Sequence, residues 1–234
     1  MTEIEWRVHD DRDAQAHMVA ADVGEEIAGA LARRGRALVG LSGGSSPFPI
    51  YERLRKMRLD WGRVTLFPVD DRLVGTDDRL SNLAGLRKVF APTDANLLPL
   101  FDRSDDLDRA ARTANGRLQS LTWPPDIVWL GMGADGHFAS IFPGPDLEKA
   151  LHPGTGNRAV AVRPDPLPAD VPIARISLTA PAIAEARRLI LTITGPDKRI
   201  ALDQAISQGA NSPKPIGRFL ASLTAPITIY WAKA

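Results

Sequence analysis

Residues 36–47 read RALVGLSGGSSP: a nearly unbroken apolar run, then a turn of serine and glycine, then proline. A strand with no polar alternation is one covered on both faces, which is the habit of parallel sheets. Beyond Pro47, the apolar residues Ile50, Leu54 and Met57 recur at helical spacing. The segment therefore reads as strand, tight turn and helix. The same unit recurs along the chain. Further strands are expected at Arg63–Val69 (RVTLFPV), Asp126–Leu130 (DIVWL), Arg188–Thr194 (RLILTIT) and Ile227–Trp231 (ITIYW), besides Arg36–Leu41 itself. Between them lie helical patterns. Asp10–Arg34 carries Ala14, Met18, Ala21, Ala28 and Leu31 on one stripe, with Gly35 as its stop. Ser104–Leu121 carries Leu107, Ala111, Ala114, Leu118 and Leu121 as one buried face.

This alternation predicts an α/β fold, a three-layer helix–sheet–helix sandwich around a mostly parallel, Rossmann-like doubly wound sheet. Residues 1–234 are expected to form a single domain. Right-handed crossovers would place every strand-to-helix loop on one edge of the sheet. The proline-rich stretch Pro143–Pro172 is expected to be a surface excursion between two parts of that domain.

Composition narrows the functional classes. A chain of 234 residues that is 44% hydrophobic and 24% charged can bury a core without disulfides or structural metal. The absence of cysteine excludes a thiol nucleophile and any cysteine-ligated metal. With 29 basic and 28 acidic residues and no basic run, nothing calls for nucleic acid. No apolar stretch is long enough for a membrane span, and MTEIEWRVHDDRDAQ lacks a signal-peptide layout, so a cytoplasmic location is expected.

The chemistry-bearing residues follow three of the expected strands. After the first come Ser42-Gly43-Gly44-Ser45-Ser46-Pro47, where glycines free the backbone amides and a helix begins. Such a turn is either a phosphate-binding loop or an ordinary serine-capped turn. It is neither a Walker A loop nor a GxGxxG fingerprint, and no cofactor is expected. After the second strand come Asp70-Asp71-Arg72 and then Ser81-Asn82, either a solvated turn or a polar cluster facing a ligand. After the third comes Gly131-Met132-Gly133-Ala134-Asp135-Gly136-His137. His9, His17 and His152 sit in polar or irregular surroundings, as surface residues do. His137 alone follows a buried strand inside a glycine-rich loop, the placement of a catalytic imidazole. No second histidine lies at metal-ligand spacing, so no metal is expected.

LSGGSSP, VDDRLVGTDDRLSN and GMGADGHFASIFPG, in that order, resemble the signature of the 6-phosphogluconolactonase family. The resemblance extends to Arg175-Ile-Ser-Leu-Thr179 and Gly195-Pro-Asp-Lys198, and so to nearly the whole chain. The wider superfamily includes glucosamine-6-phosphate deaminases, which share the glycine loops and the Asp-Gly-His element. Those enzymes typically continue to Asn-Glu-Pro-Gly, whose glutamate assists ring opening; here Phe142 stands in its place, and a phenyl ring cannot move protons. Arg72 points the same way, because the lactonases tend to carry Asp-Glu-Arg and the deaminases Asp-Glu-Tyr. Asp71 departs from the usual glutamate, and Ser212–Arg218 matches the family's C-terminal loop only loosely.

The resemblance implies hydrolysis of 6-phosphoglucono-δ-lactone by water, without a covalent serine intermediate. It implies His137 as general base, with Asp135 or Asp70 fixing its tautomer. Arg72 and the amides near Gly133 would stabilise the oxyanion, or Arg72 would orient sugar hydroxyls. Arg175 and Lys198 match the phosphate-binding arginine and lysine, with the amides of Ser42, Gly43, Gly44 and Ser45 alongside. Read without the family, Lys198 is a solvated lysine at a helix start. Two other functions would use the same pocket: an amino-sugar-phosphate deaminase or isomerase, and a non-catalytic sugar-phosphate sensor. Phe142 argues against the first, and the lack of any basic DNA-binding patch against the second.

Overall fold

A computed structural model describes residues 2–102, 106–166 and 172–233. Its central sheet has seven strands: β1 (Ile4–His9), β2 (Ala37–Leu41), β3 (Val64–Pro68), β5 (Asn96–Leu97), β6 (Ile127–Gly131), β9 (Arg188–Thr194) and β10 (Ile227–Ala232). Their order is β1-β10-β9-β6-β2-β3-β5, and every neighbouring pair is parallel. From β2 the chain moves outward through β3 to β5, then returns to β6 on the other side of β2. The strand order therefore reverses between β2 and β6, and the carboxyl ends of those two strands open the crevice where doubly wound sheets take their ligands.

Period-two alternation explains why the strands read as unbroken apolar runs. Val39, Leu41, Ile127 and Trp129 join one core, and Leu38, Val128 and Leu130 join the other. The first core is covered by α1 (Arg12–Arg34), α2 (Phe48–Leu54) and α3 (Asn82–Phe90). The second is covered by α4 (Leu107–Ser120), α5 (Leu147–Leu151), α6 (Ala180–Ala184), α7 (Pro196–Gln208) and α8 (Pro215–Ser222). Trp129 is fully buried, edge-on to Tyr51 at 4.8 Å, and its indole N–H donates to Thr192 Oγ1 at 3.0 Å.

Two helices differ in detail from the expected pattern. α1 ends at Gly35 in the left-handed region (φ 70°), as expected, but its buried face is Val19, Val23, Ile27 and Ala30. Of the expected stripe, Ala14, Met18 and Ala28 are exposed, while Ala21 is half-buried and Leu31 packs at the core's margin; alanines scattered along a helix fit several faces, and the β-branched residues decide which is buried. The face expected for α4 is the one that packs, through Ala114 and Leu118 with Leu107, Ala111 and Leu121 at its margin. Its expected start at Ser104 lies outside the described residues.

A second, antiparallel sheet was not expected. It comprises β4 (Asp70–Arg72), β8 (Arg175–Leu178) and β7 (Ala159–Val162), in that order. The expected surface excursion across Pro143–Pro172 thus contains a strand whose four residues are all buried, together with α5. Val69 joins the two sheets: its N–H donates to Leu41 O at 2.9 Å, and its carbonyl accepts from Leu178 N at 2.8 Å.

Candidate active site

The carboxyl ends of β2 and β6 and the near edge of the second sheet enclose a cleft of about 400 Å³. Ser42, Gly43, Gly44, Asp70, Arg72, Gly133, His137, Arg175 and Lys198 all line it. Ser45 does not. Gly44 takes φ 84°, and beyond that bend Ser45 is exposed while Ser46 meets the wall. Asp135 is also absent from the wall, and reaches it only through its hydrogen bonds to His137.

The loop after β6 holds the imidazole by several independent contacts. Gly136 takes φ 83°, its N–H donates to Gly133 O at 3.0 Å, and Gly133 N–H donates to His137 O at 2.9 Å. Asp135 Oδ1 accepts from His137 N at 3.1 Å and lies 2.6 Å from His137 Nδ1. Burial pushes the Asp135 carboxyl up, but its hydrogen bonds to the His137 ring and backbone outweigh that, leaving its pKa below the ordinary carboxylate value. An ionised carboxylate can only accept, so the proton between them sits on Nδ1, and a neutral ring in this place carries its lone pair on Nε2. The ring also stacks on Phe142, with centroids 4.2 Å apart and planes at 29°. A side chain at position 133 would meet the imidazole at 2.2 Å, so glycine there is a steric requirement.

Asp70-Asp71-Arg72 forms strand β4 rather than a solvated turn, and both carboxylates are buried. Asp71 closes the start of α3: it accepts from Asn82 N at 2.6 Å, Leu83 N at 3.2 Å and Ser81 Oγ at 2.8 Å. Burial nonetheless raises its pKa above the ordinary carboxylate value. Asp70 accepts from Ser140 Oγ and, at 3.4 Å, from Asn82 Nδ2. Of the two carboxylates expected beside His137, Asp135 is the one that hydrogen-bonds its ring. Arg72 Nη1 donates to Leu80 O and to Asn82 Oδ1, both at 2.8 Å, while its buried Nε has no partner. Asn82 links the loops, because a side chain at Gly43 would overlap its carboxamide.

Positive charge gathers on the remaining walls. Arg175 is 5% exposed on β8, and its register partner on β4 is Arg72. Like charges directly opposite across two strands are destabilising, and here both arginines face one cleft. The Arg175 guanidinium lies 4.8 Å from the Phe142 ring centroid. Lys198, in the first turn of α7, is half-buried rather than solvated. Burial lowers its pKa, the nearby Arg12 lowers it further, and Asp135 opposes both. A concave cationic surface with an oriented histidine beside it suits an anionic substrate that reacts by proton transfer.

The family model for glucosamine-6-phosphate isomerases/6-phosphogluconolactonase matches residues 10–228. The chain belongs to this family. It is 36% identical over 229 residues to a 6-phosphogluconolactonase of Rhizobium meliloti (strain 1021), covering 96% of this chain and 97% of that one. It is also 36% identical to a 6-phosphogluconolactonase of Pseudomonas putida, over 96% of this chain and 92% of the other. The crystal structure of a 6-phosphogluconolactonase from Shewanella baltica superposes with a TM-score of 0.88 at 29% identity, over 99% and 98% of the two chains.

In this member of the glucosamine-6-phosphate isomerase/6-phosphogluconolactonase family, several cleft residues lie beyond the three sequence motifs. Arg12 and Gln15 enter from the start of α1, and Thr192, Ile193 and Thr194 from the end of β9. The β9 residues carried a legible signal, a fourth apolar strand running into glycine and proline. Arg12 and Gln15 carried none, since both read as ordinary helix-surface residues. His9 was expected on the surface but is part-buried at the end of β1, stacked on Tyr230 at 6.1 Å.

Proposed function

We propose that this chain hydrolyses 6-phosphoglucono-δ-lactone to 6-phosphogluconate by direct attack of water, with His137 as general base. The observation that carries the reading is the Asp135–His137 pair, which leaves a free Nε2 in a cleft walled by Arg72, Arg175 and Lys198. The names of the relatives supply the substrate class. Nε2 takes a proton from water as its oxygen bonds to the lactone carbon. The carbonyl oxygen becomes a tetrahedral oxyanion. Its collapse breaks the bond to the ring oxygen, which leaves with the proton held on His137.

A positioned base contributes typically about 10²–10⁴-fold, and an oxyanion donor about 10²–10³-fold more. Arg72 and the amides near Gly133 are assigned to the oxyanion. Arg72 is fixed for this by Leu80 O and Asn82, so little reorganisation accompanies the reaction. Arg175 and Lys198, with the Gly43 and Gly44 amides, are assigned to the phosphate. A planar fork and a point charge together suit a dianion. Phosphate bound there would also offset the like-charge cost between Arg72 and Arg175. Phe142 beside His137 disfavours the deaminase reading, because no proton-moving group occupies that place.

The test is a coupled assay for 6-phosphogluconate above the spontaneous background. Acceleration that EDTA does not change is expected; loss of activity in EDTA, restored by a divalent ion, would sink the metal-free mechanism. Gly133→Ala supplies a second test. The added methyl must push the imidazole aside, and a displacement of about 1 Å costs on the order of 10²-fold. Its kcat is expected to fall by about that factor, measured at saturating substrate, and a kcat within twofold of the parent would show that the ring position is not critical.

A further inference from the structure

The hydrogen bond from His137 Nδ1 to Asp135 fixes one edge of the imidazole but leaves the ring free to tilt about that bond. The side-chain torsion that would resist such tilting is soft in histidine. Something else must hold the plane, and Phe142 is the group against it, with centroids 4.2 Å apart and planes at 29°. We infer that Phe142 is a positioning residue, whose ring sets the plane of His137 and keeps Nε2 aimed into the cleft. This rests on the reading of His137 as the base.

The chain makes a costly turn to bring Phe142 back over His137. Phe138 is buried against Phe219 at 4.6 Å, and Ile141 N–H donates back to Phe138 O at 2.9 Å. Between them Ala139 takes φ 47°, the left-handed region, which is unfavourable for a residue with a Cβ. Strain of this kind persists only where the surroundings over-determine it. Here Ser140 supplies the restraint: its hydroxyl donates to Asp70 and its N–H donates to Ser177 Oγ at 3.1 Å. Both partners belong to the second sheet, where Asp70 and Ser177 lie opposite each other, so the turn is tied to that sheet by two hydrogen bonds. Arg175, on the same sheet, places its guanidinium 4.8 Å from the Phe142 ring centroid and steadies the ring in turn. The ring is thus held by β8 and itself holds the imidazole.

Phe142→Leu keeps an apolar side chain but removes the flat face, and Phe142→Tyr keeps the face. Misplacing a catalytic group by about 1 Å costs up to about 10²-fold. Phe142→Leu is therefore expected to lower kcat by roughly tenfold or more, with KM and the affinity for 6-phosphogluconate nearly unchanged. Phe142→Tyr should restore most of the loss. In a His137→Asn background, Phe142→Leu should cost nothing further, because no base remains to be aimed. A kcat for Phe142→Leu equal to the parent's, an equal loss with Tyr, or a full additional loss on top of His137→Asn would each overturn the assignment. Should Phe142→Leu fail to fold, Phe142→Met carries the same comparison. An unchanged kcat in His137→Asn alone would strike the proposed base instead, whatever Phe142 does.

Discussion

His137→Asn is expected to lower kcat by roughly 10²–10⁴-fold while the fold and the affinity for 6-phosphogluconate persist. Asparagine is smaller and polar, and its amide N–H can still face Asp135, so the loop keeps a donor where Nδ1 stood. What disappears is the lone pair on Nε2. Water then reaches the lactone carbonyl without a partner to take its proton, and only oxyanion stabilisation and binding remain. Because the lost interaction belongs to the transition state, kcat and kcat/KM should fall together while KM stays close to the parent value. Steady-state kinetics with product titration by calorimetry checks both halves. Were kcat to survive within a few-fold, the base would have to lie elsewhere. Asp70 is a poor substitute, since Ser140 and Asn82 already engage its carboxylate. Asp135 would then be the group to replace next.

What the sequence disclosed follows from how its signals are written. The five interior strands were legible because burial on both faces leaves unbroken apolar runs such as RALVGL and RLILTIT. β1 was not, since IEWRVH alternates as an edge strand does and carries charges at Glu5 and Arg7. The second sheet was hidden for a related reason: β4 is only DDR, and no propensity marks three charged residues as a strand. Its existence depends on pairing with β8, one hundred residues distant in round terms along the chain, and long-range pairing has no local signature. The glycines at 43 and 133 could be singled out from sequence, but the reason for each could not. Gly43 makes room for Asn82 and Gly133 for His137, and both facts require the fold. The same holds for the choice between Asp70 and Asp135, which a distance to Nδ1 decides and spacing does not.

Arg175→Ala is expected to divide the substrate in two. Its guanidinium is assigned to the phosphate, several bonds from the carbonyl under attack. Hydrogen bonds to a charged group contribute about 1.5–3 kcal/mol each, so kcat/KM for the phosphorylated lactone should fall roughly ten- to a hundredfold. The substitution also relieves the like-charge opposition to Arg72 across β4 and β8, which favours the variant's fold and does not restore its turnover. Unphosphorylated glucono-δ-lactone never used the contact. Its rate should be poor in the parent protein, since remote binding energy also positions the reacting end. In the variant it should change by a few-fold at most, through loss of the support that Arg175 gives Phe142 and hence His137. Arg175 is buried, so thermal denaturation of the variant must accompany the kinetics to separate a loosened strand from a lost contact. The deciding quantity is the ratio of kcat/KM for the two substrates. It should collapse in Arg175→Ala and stay fixed in His137→Asn, where both substrates lose the same base. If Arg175→Ala slows both equally, the arginine serves the carbonyl end, and the phosphate must be held by Lys198 and the loop after β2.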